Sequence, residues 1–252
     1  MRIDRRGFLG RAVAGFGALM LGGCDRLSEQ SWVKEFLGSA EGANRWLHRD
    51  MLPHRTLARE YAEADISSHF RANGSTSPDD PHYRRLAAGA FAEWRLQVAG
   101  LVDRPGAFSL DDLRAMPART QITRHDCVEG WSCIGKWTGV PLAELLARVG
   151  LRPEARFVVF RCADTMDDGG RYYESVGLDD ALHPQTILAY AMNGQMLPVP
   201  HGAPLRLRVE RQLGYKMAKY VMAIEAVDSL SGIGRGKGGY WEDRGYEWYA
   251  GI

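Results

Sequence analysis

The chain has 252 residues, 45% hydrophobic and 25% charged, with a formal charge of +1. That length suffices for one large domain or two small ones around a proper core. The composition excludes a disordered chain and a multi-span membrane protein, and the near-neutral charge argues against a general nucleic-acid binder.

The N-terminus opens M-R-I-D-R-R-G-F-L-G, with Arg5 and Arg6 paired, and an apolar run leads to L-G-G-C at Cys24. A charged start, a short apolar middle and small residues before a cut describe an export signal over residues 1–23. The run is short for a membrane span. The arginine pair resembles a twin-arginine signal, and L-G-G-C resembles a lipoprotein cleavage box with Cys24 as the lipid-bearing residue. An uncleaved N-terminal anchor helix is the alternative. Removing 1–23 takes away four arginines and one aspartate, which leaves the mature chain at −2. The twin-arginine route exports folded proteins, often with a cofactor already inserted, so the address points to a cofactor. The expected location is periplasmic, with membrane association through Cys24. With Cys24 lipidated, Cys127, Cys133 and Cys162 remain, and three thiols cannot all pair within one chain.

Residues 24–60 read as a membrane-proximal tether or an N-terminal arm, and 61–252 as the main domain. S-W-V-K-E-F-L has helical spacing, with Gly38 and Gly42 interrupting it. The stretch D-I-S-S-H-F-R-A-N-G-S-T-S-P-D-D-P is loop-forming. Alternation predicts a strand over Trp94–Val102. Ser109 caps a short helix with Asp112 at the capping-box position, and Pro117 ends it. R-T-Q-I-T-R predicts a strand running into Asp126 and Cys127. Pro141 starts a helix that Gly150 stops. R-F-V-V-F-R-C predicts a buried strand ending at Cys162. T-I-L-A-Y-A-M, then Asn193-Gly194 and Q-M-L-P, predict a hairpin. P-L-R-L-R-V and Y-V-M-A-I-E-A-V predict two more strands, and the Gly-, Trp- and Tyr-rich tail shows no period. The expected class is α+β, mixed β-sheet with short inserted helices.

R-H-D-C-V-E-G-W-S-C places Cys127 just after a strand, beside Arg124 and His125. A nearby positive charge favours the thiolate, which binds soft metals; a buried inert thiol is the competing reading. Zinc is disfavoured, because no second close pair of ligands accompanies Cys127 and Cys133. Thioredoxin-like C-x-x-C is also missing from the sequence. R-L-R-V-E-R-Q-L-G-Y-K-M-A-K carries Arg206, Arg208, Arg211, Lys216 and Lys219. Arg206 and Arg208 share one face of a strand, and the loop after Gly214 could hold a phosphate by charge and N–H groups. An ordinary solvated basic face is the alternative.

R-H-D-C-V-E-G-W-S-C-I-G-K-W-T-G-V-P-L resembles the molybdenum-ligand segment of the sulfite oxidase family, above all of its bacterial periplasmic branch of protein-methionine-sulfoxide reductases. A-L-H-P-Q-T-I-L-A-Y-A-M-N-G-Q-M-L-P, H-G-A-P-L-R-L-R-V with G-Y-K, and more weakly S-S-H-F-R-A-N-G follow the family's order over about residues 66–230. The resemblance implies a sulfite-oxidase-like fold and a molybdenum–molybdopterin (Mo-pyranopterin) cofactor. Cys127 becomes the molybdenum ligand. Arg206 and Lys219 match positions on the pterin's phosphate side, and Met217 and Ala218 match backbone-contact positions. Phe70 and Arg71 match a loop against the pterin from the other side. Cys162 stands where the family often has a small hydroxyl residue, and His201 replaces a common asparagine. Glu129 and Trp131 become neighbours of the ligand, with Glu129 a candidate to hold a proton or orient water. Cys133 lies outside the shared pattern, free or paired with Cys162.

The expected activity is two-electron oxygen-atom transfer, with sulfoxide reduction ahead of sulfite oxidation; a non-catalytic lipoprotein using the same fold is the rival from another class. Because the sequence has no C-x-x-C-H motif, the electron partner is expected to be a separate membrane haem protein. The chain stops soon after its last core strand, without the immunoglobulin-like dimerisation domain of eukaryotic sulfite oxidases, so a monomer is expected.

Overall fold

The computed structural model describes residues 30–47 and 56–252. The export signal and Cys24 lie outside these. The chain divides between Met51 and Leu52. In the first unit, α1 (Ser31–Trp46) is one helix that runs through Gly38 and Gly42. The expected interruption is absent because a helical glycine costs only about 1 kcal/mol against alanine and does not stop a helix.

The second unit is built on two five-stranded sheets. The first holds β1 (Leu96–Gly100), β2 (Gly106–Phe108), β5 (Phe157–Thr165), β6 (Arg171–Gly177) and β10 (Val221–Val227), in the order β2-β1-β10-β5-β6. The pair β1–β10 is parallel and the other pairs are antiparallel. The second holds β3 (Arg119–Asp126), β4 (Ser132–Pro141), β7 (Ile187–Met192) and β8 (Gln195–Met196), with β9 (Arg206–Arg208) sharing with β8 the edge of β7 opposite β4. The strands β2, β4 and β6 escape the sequence reading. β4 is broken by Gly135 and Gly139, and β6 follows a turn-rich D-D-G-G run, so neither alternates cleanly.

Short helices cover the sheets: α2 (Pro81–Ala88), α3 (Leu110–Arg114), α4 (Leu142–Val149) and α5 (Leu178–Ala181). On α4 the residues Leu142, Leu145, Leu146 and Val149 are all buried. Each contributes roughly 1.5–3 kcal/mol of burial. Gly150 ends that helix at φ 74°, where a side chain would be strained. The Ser109–Asp112 capping box forms as expected. Asn193 and Gly194, at φ 51° and 77°, make the tight turn of the β7–β8 hairpin. The large core joins Trp94, Leu96, Leu113, Phe160, Leu205, Leu207 and Tyr220, while a smaller cluster around Phe70, Trp137 and Ile187 lies behind the β3–β4 hairpin.

Candidate active site

Cys127 is the first residue of the five-residue tip between β3 and β4. Its N–H donates to Trp131 O at 2.9 Å, and its carbonyl accepts from Gly130 N at 3.0 Å. Antiparallel pairing up to Asp126–Ser132 holds the tip. The thiol is therefore carried on a rigid frame, as a metal ligand requires.

The tip corrects one step of the sequence reading. Neither flanking cation supports a thiolate at Cys127. Arg124 is taken up by Asp126 at 2.9 Å. His125 is buried, and burial together with Arg208 and Arg206 holds it well below its ordinary pKa, so it is neutral. Burial pushes the Cys127 thiol up, and the Glu129 carboxylate adds to this, while the Glu129 N–H and Arg71 pull the other way. A metal would have to displace the thiol proton on binding. Glu129 is exposed and accepts from the Trp131 indole at 2.8 Å. Arg71 stacks over the same indole at 5.4 Å.

Beside Cys127 lies a cavity of about 170 Å³. Cys127, Glu129, Met217 and Lys219 are the sequence-predicted residues on its wall. Asn73, Ser75, Asp164, Tyr172, Tyr215, Trp241 and Tyr246 join them and were not singled out. Two signals existed: Tyr215 belongs to the G-Y-K match, and Trp241 and Tyr246 sit in the aromatic tail. Asp164 lies two residues past Cys162, because β5 continues to Thr165. Burial raises Asp164 to about 6, against the pull of Ser75 and Lys219. One of its oxygens accepts from Ser75 Oγ at 3.0 Å, and the other is buried without a partner.

The other predicted residues stand off that wall. Phe70 is buried between Trp137 and His201, with ring centroids at 5.3 and 5.6 Å. Cys162 is in the large core, and Ala218 accepts there from Leu207 N at 2.8 Å. Cys133 and Cys162 are both free and lie on strands of different sheets, so the pairing considered for them is not formed. Cys133 is half-buried, with Sγ 3.7 Å from His69 O.

The basic run is not a solvated face. Arg206, Arg208 and Lys216 are fully buried, and Lys219 is 5% exposed. Arg208 pairs with Glu210 at 2.5 Å and donates to His125 Nδ1 at 3.0 Å. Lys216 pairs with Glu174 and Glu242, both at 2.5 Å. Lys216 is thereby withdrawn from any phosphate. Arg206 and Lys219 differ: among the described residues no carboxylate lies within ion-pair distance of either. Arg206 donates to His201 O at 3.0 Å, and its Nε and Nη2 are buried without acceptors. Burial and Arg208 lower Arg206 to about 9, and burial and Arg206 lower Lys219 to about 7. His201, lowered to about 4 by burial and the same two cations, has an unpartnered Nδ1. Lys219 Nζ donates to Ser75 O and, at 3.0 Å, to Pro200 O, which leaves one of its three donors. Two buried cations with spare donors and no carboxylate in ion-pair contact fit an anionic group such as a phosphate. Gly214 keeps this region close-packed, since a Cβ there would collide with the His125 ring.

A family described as the oxidoreductase molybdopterin-binding domain matches residues 85–232. The chain belongs to that family. It is 40% identical over 98% of its length to a protein of Azospira oryzae provisionally named protein-methionine-sulfoxide reductase subunit YedZ1, and spans 87% of it. The protein-methionine-sulfoxide reductase catalytic subunit MsrP of Ralstonia nicotianae is 34% identical over 78% of the chain, which spans 63% of that protein. Among solved structures, the sulfane dehydrogenase SoxCD of Paracoccus pantotrophus aligns over 55% of this chain and 39% of its own at TM-score 0.50 and 26% identity. The expected family, α+β class and molybdenum–molybdopterin cofactor are borne out. The Cys127 hairpin and the two cations without a carboxylate partner fit such a cofactor. Cys127 would ligate the molybdenum, and Arg206 and Lys219 would hold the phosphate end of the pterin.

Proposed function

We propose that this protein is an exported oxidoreductase that removes the oxygen atom from organic sulfoxides, methionine sulfoxide being the type substrate, and that it takes electrons from a separate membrane haem partner. The observation that carries the sulfoxide reading is the charge and shape of the cavity. Two acids, Glu129 and Asp164, face it, against one lysine, Lys219, whose charge the cofactor's phosphate would take up. Its outer wall is aromatic: Trp241 and Tyr246 stack with centroids 5.3 Å apart, and Tyr215 meets Tyr246 edge-on at 5.2 Å. Such a wall suits a neutral S-methyl group, whereas the sulfite dianion needs a cationic pocket.

When bound, the molybdenum cofactor supplies the two electrons and accepts the oxygen atom. The chain's own part is to hold that group through Cys127, Arg206 and Lys219, to seat the substrate against the aromatic wall, and to provide protons. Relatives named as catalytic subunits support a second component, and the sequence has no haem-attachment motif of its own. Export rests on Arg5-Arg6 and the box ending at Cys24. Purified mature protein from a molybdenum-replete host should contain one molybdenum per chain. With an artificial electron donor it should turn over methionine sulfoxide and leave sulfite untouched. Sulfite oxidation without sulfoxide reduction would overturn the substrate assignment. Cys127→Ser should lose both metal and turnover.

A further inference from the structure

Behind the cavity wall lies a charge cluster that holding the cofactor does not use. Lys216 Nζ donates to Glu174 Oε1 and Glu242 Oε1, each at 2.5 Å, and all three side chains are fully buried. Two carboxylates around one ammonium would leave a net negative charge out of reach of water. Burying an uncompensated charge costs several kcal/mol. The Ser175 N–H, donating to Glu174 Oε1 at 2.7 Å, offsets part of that cost, and one added proton would remove it. Both carboxyls crowd the same Nζ, and Glu242 Oε2 is buried without another partner. Burial raises Glu174 well above the usual carboxylate range; Lys216 opposes this and Glu242 adds to it. Glu174 Oε2 lies 3.4 Å from the Tyr172 hydroxyl, and Tyr172 is on the cavity wall. The charged and titratable groups facing this hydroxyl are Glu174, Glu242, Cys162 and Asp164. The Tyr172 hydroxyl now donates to Tyr215 O at 2.5 Å, so its oxygen is open to a proton from Glu174.

We propose that Glu174 and Glu242, gathered on Lys216, store a proton that Tyr172 passes to the leaving oxygen of the substrate. The inference rests on the sulfoxide reading, in which sulfoxide, two electrons and two protons become thioether and water. The electrons come from the molybdenum cofactor. In the proton step Tyr172 gives its hydroxyl proton to the substrate oxygen, and Glu174 replaces it. Glu174 is left as a carboxylate beside the Lys216 ammonium, and no electrons move. Solvent in the cavity supplies the second proton and then refills the store back through Tyr172. Glu174 acts through Tyr172 and is a positioning residue.

The test uses the holoenzyme, reduced and mixed with methionine sulfoxide in a single turnover, over a range of pH and in light and heavy water. Wild-type reoxidation should slow as pH rises and show a solvent isotope effect. Glu174→Gln should react about 100-fold more slowly, with the pH dependence flattened. Independently of activity, the infrared C=O stretch of a buried protonated carboxyl should be present in wild type and Tyr172→Phe and missing from Glu174→Gln. If Glu174→Gln does not fold, Tyr172→Phe carries the kinetic test, since it should keep the band and lose the pH-dependent phase. Variants with wild-type rate, pH dependence and isotope effect would overturn the proposal, as would a wild-type spectrum with no protonated carboxyl. A wild type that no sulfoxide reoxidises sinks the substrate reading instead, and the infrared band then decides whether the store exists.

Discussion

Arg206 and Lys216 come from the same fourteen-residue basic run and are both fully buried, yet their surroundings are opposite. Lys216 meets two carboxylates from distant segments, Glu174 on β6 and Glu242 in the tail. Arg206 meets a carbonyl and the Trp137 face at 5.0 Å, with two donor nitrogens unsatisfied. Burial lowers both, but the two glutamates carry Lys216 above its ordinary value while Arg206 falls to about 9. A buried cation already paired belongs to the fold, whereas one left without an anion belongs to a ligand.

The largest expected effect breaks the paired side. Lys216→Met leaves the buried Glu174–Glu242 pair without its cation and should destabilise the cofactor-free protein by about 3–5 kcal/mol in urea unfolding. Arg206→Met should behave oppositely: it removes an unsatisfied charge, leaving cofactor-free stability within about 1 kcal/mol or raising it. It should cost about 10–100-fold in retained cofactor, read as molybdenum and extractable pterin per chain. A Lys216→Met protein as stable as wild type would erase the distinction.

A smaller effect appears with pH. Folded Lys219 releases its proton near 7, whereas the unfolded chain holds it to its ordinary 10.5. Between these values the unfolded state binds more protons, so cofactor-free stability should rise with pH in that window, and the gain should vanish as pH falls through 7. Asp164, raised to about 6, acts in a lower window with the opposite sign, stability falling as pH rises from about 4 to 6. An anion held by Lys219 keeps it protonated, so the loaded protein should show a shallower rise above pH 7. Equal slopes with and without cofactor would place the phosphate elsewhere. The smallest effect is a control far from both clusters. Ser109→Ala removes the cap of α3 and should cost about 1 kcal/mol with no change in cofactor content.

Local signals carried much of the fold into the sequence. Ser109 and Asp112 three apart, Gly150 after an apolar helix, and Asn193-Gly194 between alternating runs each act within a few residues, and each formed as read. The ordered motif blocks named the family and the cofactor, and they marked Cys127 as the thiol proposed to carry the metal. What stayed hidden depends on partners far away in the chain. Whether a lysine or arginine faces water, a glutamate or a carbonyl is decided by segments up to 144 residues off, such as Ser75, whose carbonyl accepts from the Lys219 ammonium. The charge state at Cys127 misled for the same reason: Arg124 and His125 are neighbours in sequence, but Asp126 and burial take their charge away. The sequence by itself determined the class of chemistry, because the motif blocks that mark the family are contiguous runs whose residue order survives without any knowledge of the packing. Only the tertiary structure decided which charges are spent on the fold and which are kept for a ligand, because burial sets that cost and burial is a property of the whole chain.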